Sequence, residues 1–226
     1  MQGHAESLLQ PIGVVMNEKL IALEGHAGYA APRYSSGLRT THRLLEAGRR
    51  LLRERTLEQV PIQEICARAG VTTGAFYSRF DGKDSYFKAL QALALATLRE
   101  AMAARLAQLD NAPTTLEDAV RTMARDSRIW ACRNEGVLRA SLVVRATTGE
   151  DPIRQLNRQY IVDLASRLAR LHPAGPSPEL ELRIRFAHQA LAGTLLYALI
   201  NRESIYALSD RRLDQEMARV FLLSVA

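Results

Sequence analysis

The stretch IQEICARAGVTTGAFYSRF, from Ile62 to Phe80, constrains this chain more than any other. It splits at Gly70 into two short runs of helical periodicity. In the first, Ile62, Ile65, Cys66 and Ala69 recur on one face. Gly70 ends that run, because a left-handed C-cap costs little only for glycine. Thr72 then offers an oxygen to cap a second helix, expected to run to about Phe80. Two short helices joined across an Ala-Gly-Val-Thr corner make a helix-turn-helix. In this reading Ala67 and Ala69 let the helices approach and Val71 fills the space between them. Phe76 and Phe80 anchor the second helix, leaving Thr72, Thr73, Gly74, Tyr77, Ser78 and Arg79 facing outwards. A helix exposed in this way fits the DNA major groove, about 12 Å wide, with its first residues at base edges.

Helical periodicity continues on both sides. Thr40 is the expected N-cap of a first helix, with Leu44, Leu45, Gly48, Leu51 and Leu52 inward and Arg43, Arg49, Arg50 and Arg53 outward. Pro61 suits the first turn of the next helix. Asp81 is the expected cap of a fourth helix, with Asp84 in its acidic first turn, and that helix extends to about Leu109. Asn111, Pro113 and Thr115 break it, and Leu116 starts another. Further breaks fall at Thr148–Pro152 and His172–Pro178, and two apolar helices close the chain, about Glu179–Ile205 and Asp210–Val225. No segment reads as a run of strands, so the expected fold is all-α. Residues 1–37 hold Pro11, Gly13, Gly25, Gly28, Pro32 and Gly37 and read as a poorly ordered extension with at most one short helix. Met16 is a second candidate start, and the extension carries only Lys19 and Arg33 as basic residues with which to reach DNA.

Charge is concentrated where the motif lies. The chain of 226 residues carries a formal net charge of +6, and Leu38 to Leu90 holds ten cations against six anions. Lysine occurs only at Lys19, Lys83 and Lys88, which sets Lys83 apart beside the motif. Composition is that of a globular protein, 47% hydrophobic and 24% charged. Cys66 and Cys132 make neither a disulfide framework nor a zinc site, and Cys66 falls on a buried stripe. With no apolar run near the ~20 residues that span a bilayer and no signal-peptide layout, the expected setting is the cytoplasm.

From Leu44 to Leu90 the chain resembles the TetR family of transcriptional regulators. The resemblance rests on LLEAGRRLL, IQEICARAGV and GAFYSRFDGKDSYFKAL, above all on G-x-x-Y-x-x-F followed by Lys-Asp. It implies that Tyr77 and Lys83 clamp phosphates and that Thr72, Thr73 and Gly74 read the groove. Ser78 and Arg79 stand where relatives present further phosphate-directed side chains, and Thr40 and Gln63 complete the DNA-facing set. Two positions depart from the pattern. Pro61 replaces a Ser or Thr whose hydroxyl caps the second helix near a phosphate, which leaves that contact to Gln63. Thr73 stands where relatives often carry Lys, and its methyl suits a thymine.

The resemblance further implies that residues 38–84 form the DNA-binding domain and 85–226 an effector-binding and dimerisation domain. Its last two helices would pair with a second subunit in a homodimer. Apolar residues on more than one stripe of the penultimate helix agree with that, since such a helix needs partners on two sides. The expected interface comprises Phe186, Leu191, Gly193, Leu195, Leu213, Met217, Val220 and Phe221. A pocket for a small-molecule effector would lie between the helices, with Trp130, Arg139, Arg145, His188, Tyr197 and Asn201 as its candidate lining. The fourth helix is the expected rod linking effector to DNA. The expected function is a dimeric repressor of a palindromic operator, released by an effector. Activation is an alternative, as is an architectural protein without sequence preference. An enzyme is disfavoured. His4, His26, His42, His172 and His188 are scattered, no phosphate loop or metal-ligand spacing occurs, and neither catalytic site, metal nor cofactor is expected.

Overall fold

The computed structural model describes Leu23 and residues 28–32, 34–149, 151–201 and 203–226. The rest of the expected N-terminal extension, with Met16, Lys19 and Arg33, lies outside the described residues. Those described form nine helices and one isolated antiparallel bridge, Tyr29 to Phe80. They fall into two compact units that meet in sequence between Thr97 and Leu98.

The first unit holds α1 (Ser35–Leu51), α2 (Ile62–Ala69), α3 (Thr73–Tyr77) and the start of α4 (Lys83–Asn111). The first helix begins earlier than its sequence suggests. Tyr34 is its extended N-cap and makes no side-chain cap. Thr40 is therefore no cap, and its hydroxyl instead donates back to Ser36 O at 3.1 Å. The earlier start places Gly37 against Pro32 and Arg79 and buries Thr41 completely. Leu44, Leu45, Leu51 and Leu52 are buried as expected, together with Val60, Ile65, Phe76, Phe80 and Tyr86. Gly48 has a packing reason to be glycine. The hydroxyl of Tyr86 lies where a Cβ would stand, and it donates to Leu44 O at 2.7 Å.

Part of the extension is also held. Ala30 N–H donates to Arg79 O at 2.8 Å and Asp81 N–H to Gly28 O at 3.1 Å, while the Tyr29 ring tilts onto Phe80 at 5.6 Å. Residues 28–30 are thus fastened to the motif. Asp81 is also not the cap of α4, which opens two residues later. There the Ser85 hydroxyl accepts from Gly82 N–H at 3.1 Å.

The second unit holds the rest of α4, then α5 (Leu116–Arg133), α6 (Glu135–Thr148), α7 (Pro152–Arg170), α8 (Pro178–Ile200) and α9 (Arg211–Val225). Four starts are capped by side-chain oxygens: Thr115 accepts from Asp118 N–H, Asp151 from Arg154, Ser177 from Leu180 and Asp210 from Arg212. Asn134, which no sequence signal marks as a break, separates α5 from α6. Val120, Met123, Leu164, Leu168, Ile184, Ala187 and Phe221 form the middle of one apolar core. Inside it Arg128 Nε meets Asp214 Oδ2 at 2.6 Å, tying α5 to α9, and Arg128 Nη1 donates to Leu208 O at 3.1 Å.

Candidate nucleic-acid interface

Local chemistry fixes the corner of the helix-turn-helix. Pro61 is the extended N-cap of α2, and Gly70 ends that helix at φ 63°, ψ 44°. Gly70 and Val71 donate their N–H groups to Ala67 O and Cys66 O, which closes the turn. Arg43 Nη2 from α1 donates to Gly70 O at 3.2 Å and ties the corner to the first helix, a tie that no local sequence signal marks. Ile65, Cys66 and Ala69 are buried, Ile62 and Val71 are half-buried, and Ala67 is exposed, so Ala67 plays no part in the close approach. Burial pushes the Cys66 thiol upward, which suits an inert core cysteine.

Across the corner, Thr72 Oγ1 accepts from Ala75 N–H at 3.2 Å and starts α3 as expected. The helix stops at Tyr77 rather than Phe80, because Phe80 bends away to pair with Tyr29. Phe76 and Phe80 are fully buried and pack on Tyr86, tilted at 5.3 Å and edge-on at 5.1 Å. These three rings carry α3 so that Thr72, Thr73, Gly74, Tyr77 and Ser78 are all exposed. Gly74 has only Thr72 Oγ1 within 4 Å of a virtual Cβ, so the start of the helix is bare. Tyr77 leans edge-on to Phe76 at 5.5 Å and stays 58% exposed, which leaves its hydroxyl able to donate. Ser78 Oγ donates to Ala75 O and keeps its lone pairs outward.

Lys83 stands in the first turn of α4, with Nζ donating to Glu58 O at 3.1 Å. Gln63 is exposed on the first turn of α2. Arg79 differs from expectation: it is half-buried, Nη1 donates to Ser78 O, and Nη2 comes 2.7 Å from a virtual Cβ on Gly37. It is turned toward the start of α1 because glycine leaves room there. A cleft of about 170 Å³ beside α1 is lined by His42, Arg43, Glu46, Arg50 and Arg68 among others. Burial alone would raise the Glu46 carboxyl, but hydrogen bonds from Arg49 and Arg50 overcome it and hold it at about 2.

The residues expected to line a pocket do not converge. Arg139 pairs with Glu135 one turn away, and Arg145 pairs with Asp151. Asn201 Nδ2 donates to Tyr197 O and finishes α8. Tyr197 is exposed, on the opposite side of α8 from buried His188, and Trp130 is half-buried at the edge of the core. Of the residues expected at a dimer interface, Leu191, Leu213, Met217 and Phe221 are buried in the unit's own core and Leu195 is half-buried. Phe186, Gly193 and Val220 are exposed. With Leu182, Leu196, Tyr197, Ile200 and Leu223, which lay outside the expected interface set, they leave large apolar surface on α8 and α9. Positions 182, 186, 193, 197 and 200 fall on one helical face, but the opposite face of α8 is apolar too, so periodicity alone does not single them out.

No described helix is long and apolar enough to cross a membrane, and no metal-binding group of His, Cys, Asp and Glu occurs among the described residues. Residues 44–90 match the model of the bacterial regulatory proteins of the tetR family. Among solved structures the chain is similar to a TetR transcriptional regulator from Rhodococcus sp. RHA1, at 21% identity over 81% of this chain and 96% of that one, with a TM-score of 0.41. It is also similar to SCO7518 from Streptomyces coelicolor A3(2), at 18% identity over 81% and 98%, with a TM-score of 0.46. No curated protein matches the chain. The family match begins at Leu44 and ends at Leu90, so it takes in α2, α3 and the residues that hold them. The likeness to the TetR family therefore rests on residues 44–90, the helix-turn-helix and its supports, and not on the second unit.

Proposed function

We propose that this chain is a repressor that binds a two-fold symmetric operator as a homodimer and is released by a small molecule. The observation that carries the reading is α3. Its first residues, Thr72 to Gly74, are bare while Phe76 and Phe80 behind them are fully buried. That arrangement presents a short rigid helix to the major groove, with Tyr77 and, once it swings from Glu58, Lys83 available to phosphates. Dimerisation is supported by the exposed apolar face of α8, where Gly193 sits between Phe186 and Tyr197 and permits close helix approach. A small molecule that favours one conformation of the dimer must change operator affinity by the same coupling factor.

Phe186→Arg tests the dimer and its consequence together. It lies 65% exposed, so the fold should persist. Sedimentation should show monomer where the native chain shows dimer, with operator affinity at least ~100-fold lower. A native chain that sediments as monomer and binds DNA unchanged by Phe186→Arg would overturn the proposal.

A further inference from the structure

The core of the second unit contains a group of polar side chains that its packing does not explain. Arg105 on α4 has a side chain only 12% exposed, and Nη1 donates to Tyr160 Oη on α7 at 2.9 Å. The carboxylate that meets it, of Asp126 on α5, stands 3.6 Å away and is 43% exposed. Arg105 Nε is buried and finds no acceptor, and Asn157 Oδ1, one turn before Tyr160 on the same face of α7, is buried and finds no donor. His188 on α8 is buried and sets its ring edge-on to Tyr160 at 6.0 Å. Three helices therefore bring a cation, a phenol, an amide and an imidazole into an otherwise apolar core. Around them, one turn away on the same faces, lie Met102, Leu164, Ile184 and Leu191, all buried.

Unmet polar atoms in a core are destabilising, so packing alone would favour apolar residues here. Burial first and the Arg105 charge second push His188 down to about 4, leaving it neutral. What the cluster can offer is donors: Arg105 Nε–H, the Tyr160 O–H proton, one imidazole N–H, and the Asn157 amide once turned about its last torsion. An anion with planar oxygens matches guanidinium geometry best. We infer that Arg105, Asn157, Tyr160 and His188 form the effector site and that the effector is a small apolar molecule bearing a carboxylate. The inference rests on the proposed effector control, and it adds the position and the chemical class.

The test uses the full chain, free of DNA. Sodium salts of straight-chain carboxylates from acetate to decanoate are compared with the matching primary alcohols at constant ionic strength and pH 7, by thermal shift. At least one carboxylate should raise the midpoint by roughly 5 °C near saturation, and its alcohol should not. Arg105→Met should abolish the shift. Should that variant fail to fold, Asn157→Leu decides the matter. Removing an unmet amide should raise the midpoint of the free protein while weakening carboxylate binding about tenfold. The inference falls if no carboxylate in the series shifts the native chain, if the alcohols shift it equally, or if Asn157→Leu binds carboxylate as the native chain does. Carboxylate binding that leaves operator affinity unchanged would count against effector control of DNA binding and not against the site.

Discussion

Gly48→Ala sets two effects of opposite sign against each other. Within a helix, alanine is favoured over glycine by about 1 kcal/mol, so propensity alone predicts a more stable protein. Packing predicts the reverse. A Cβ on Gly48 would stand 1.9 Å from Tyr86 Oη and 2.7 Å from Cζ, far inside van der Waals distance. Tyr86 has little room to retreat, since it is fully buried and its ring is held by Phe76 and Phe80. Moving it breaks the bond to Leu44 O, worth about 1–3 kcal/mol in a buried setting. Overpacking adds about 1–3 kcal/mol. The net expectation is destabilisation of the first unit by about 2–4 kcal/mol, roughly 10–25 °C in its midpoint. Far-UV circular dichroism during a thermal ramp checks it. Fluorescence of Trp130, the only tryptophan, reports the second unit and serves as the internal reference. The early dichroism transition should fall while the Trp130 transition holds. Because the same rings carry α3, DNA affinity should fall with it. An unchanged or raised dichroism midpoint would refute the packing argument and leave propensity as the controlling effect.

Further outcomes are expected. Arg128→Met strands Asp214 in the core and should cost about 3–5 kcal/mol in urea denaturation followed at Trp130, whereas Arg128→Met with Asp214→Leu should recover most of the loss; equal losses in both would contradict this. His188 is neutral when folded and binds a proton when unfolded, so its contribution is complete above about pH 6.5 and is lost as pH falls through about 4. The loss is roughly 3 kcal/mol, and His188→Gln should flatten the midpoint over that range. The Glu46 carboxylate adds a separate loss below about pH 4.5 toward about 2, near 1 kcal/mol once solvent screening is allowed for, removed by Glu46→Gln. Lys83→Gln should lower the slope of log affinity against log salt by about 0.9 for each phosphate that the lysine neutralises, uniformly across DNA sequences. Thr73→Ala should instead change sequence preference and leave that slope unchanged.

Local signals reach a long way into the first unit. Gly70, Thr72 and the Phe76–Phe80 pair each encode geometry within a few residues, and the structure places all of them as their chemistry requires. Thr40 and Asp81 mislead because a good capping residue marks a helix start only where packing lets the helix begin. Gly37 and Thr41 draw α1 earlier, and Ser85 serves α4 from inside. Arg79 cannot be placed from sequence, because its direction depends on room that Gly37 and Pro32 leave across the fold. The second unit is legible as helices but not as surfaces. On α8 both faces are apolar, so periodicity alone does not say that Ile184, Leu191 and Leu199 go inward while Leu182, Phe186 and Ile200 stay out. The polar cluster is illegible for a similar reason. Arg105, Asp126, Asn157, Tyr160 and His188 lie on four helices, and no single window of sequence brings them together.

Selection of duplexes from a random pool by the full-length protein, at fixed salt and followed by protection mapping, decides whether α3 reads sequence. The expected result is one two-fold symmetric sequence with half-sites about 34–36 Å apart, or a multiple of that, bound roughly 10³-fold or more tighter than random duplex. Thr73→Ala should relax the choice of base at symmetric positions in both half-sites. A pool that stays random after repeated selection, with binding governed by salt alone, would contradict the assignment of α3 as a reading helix.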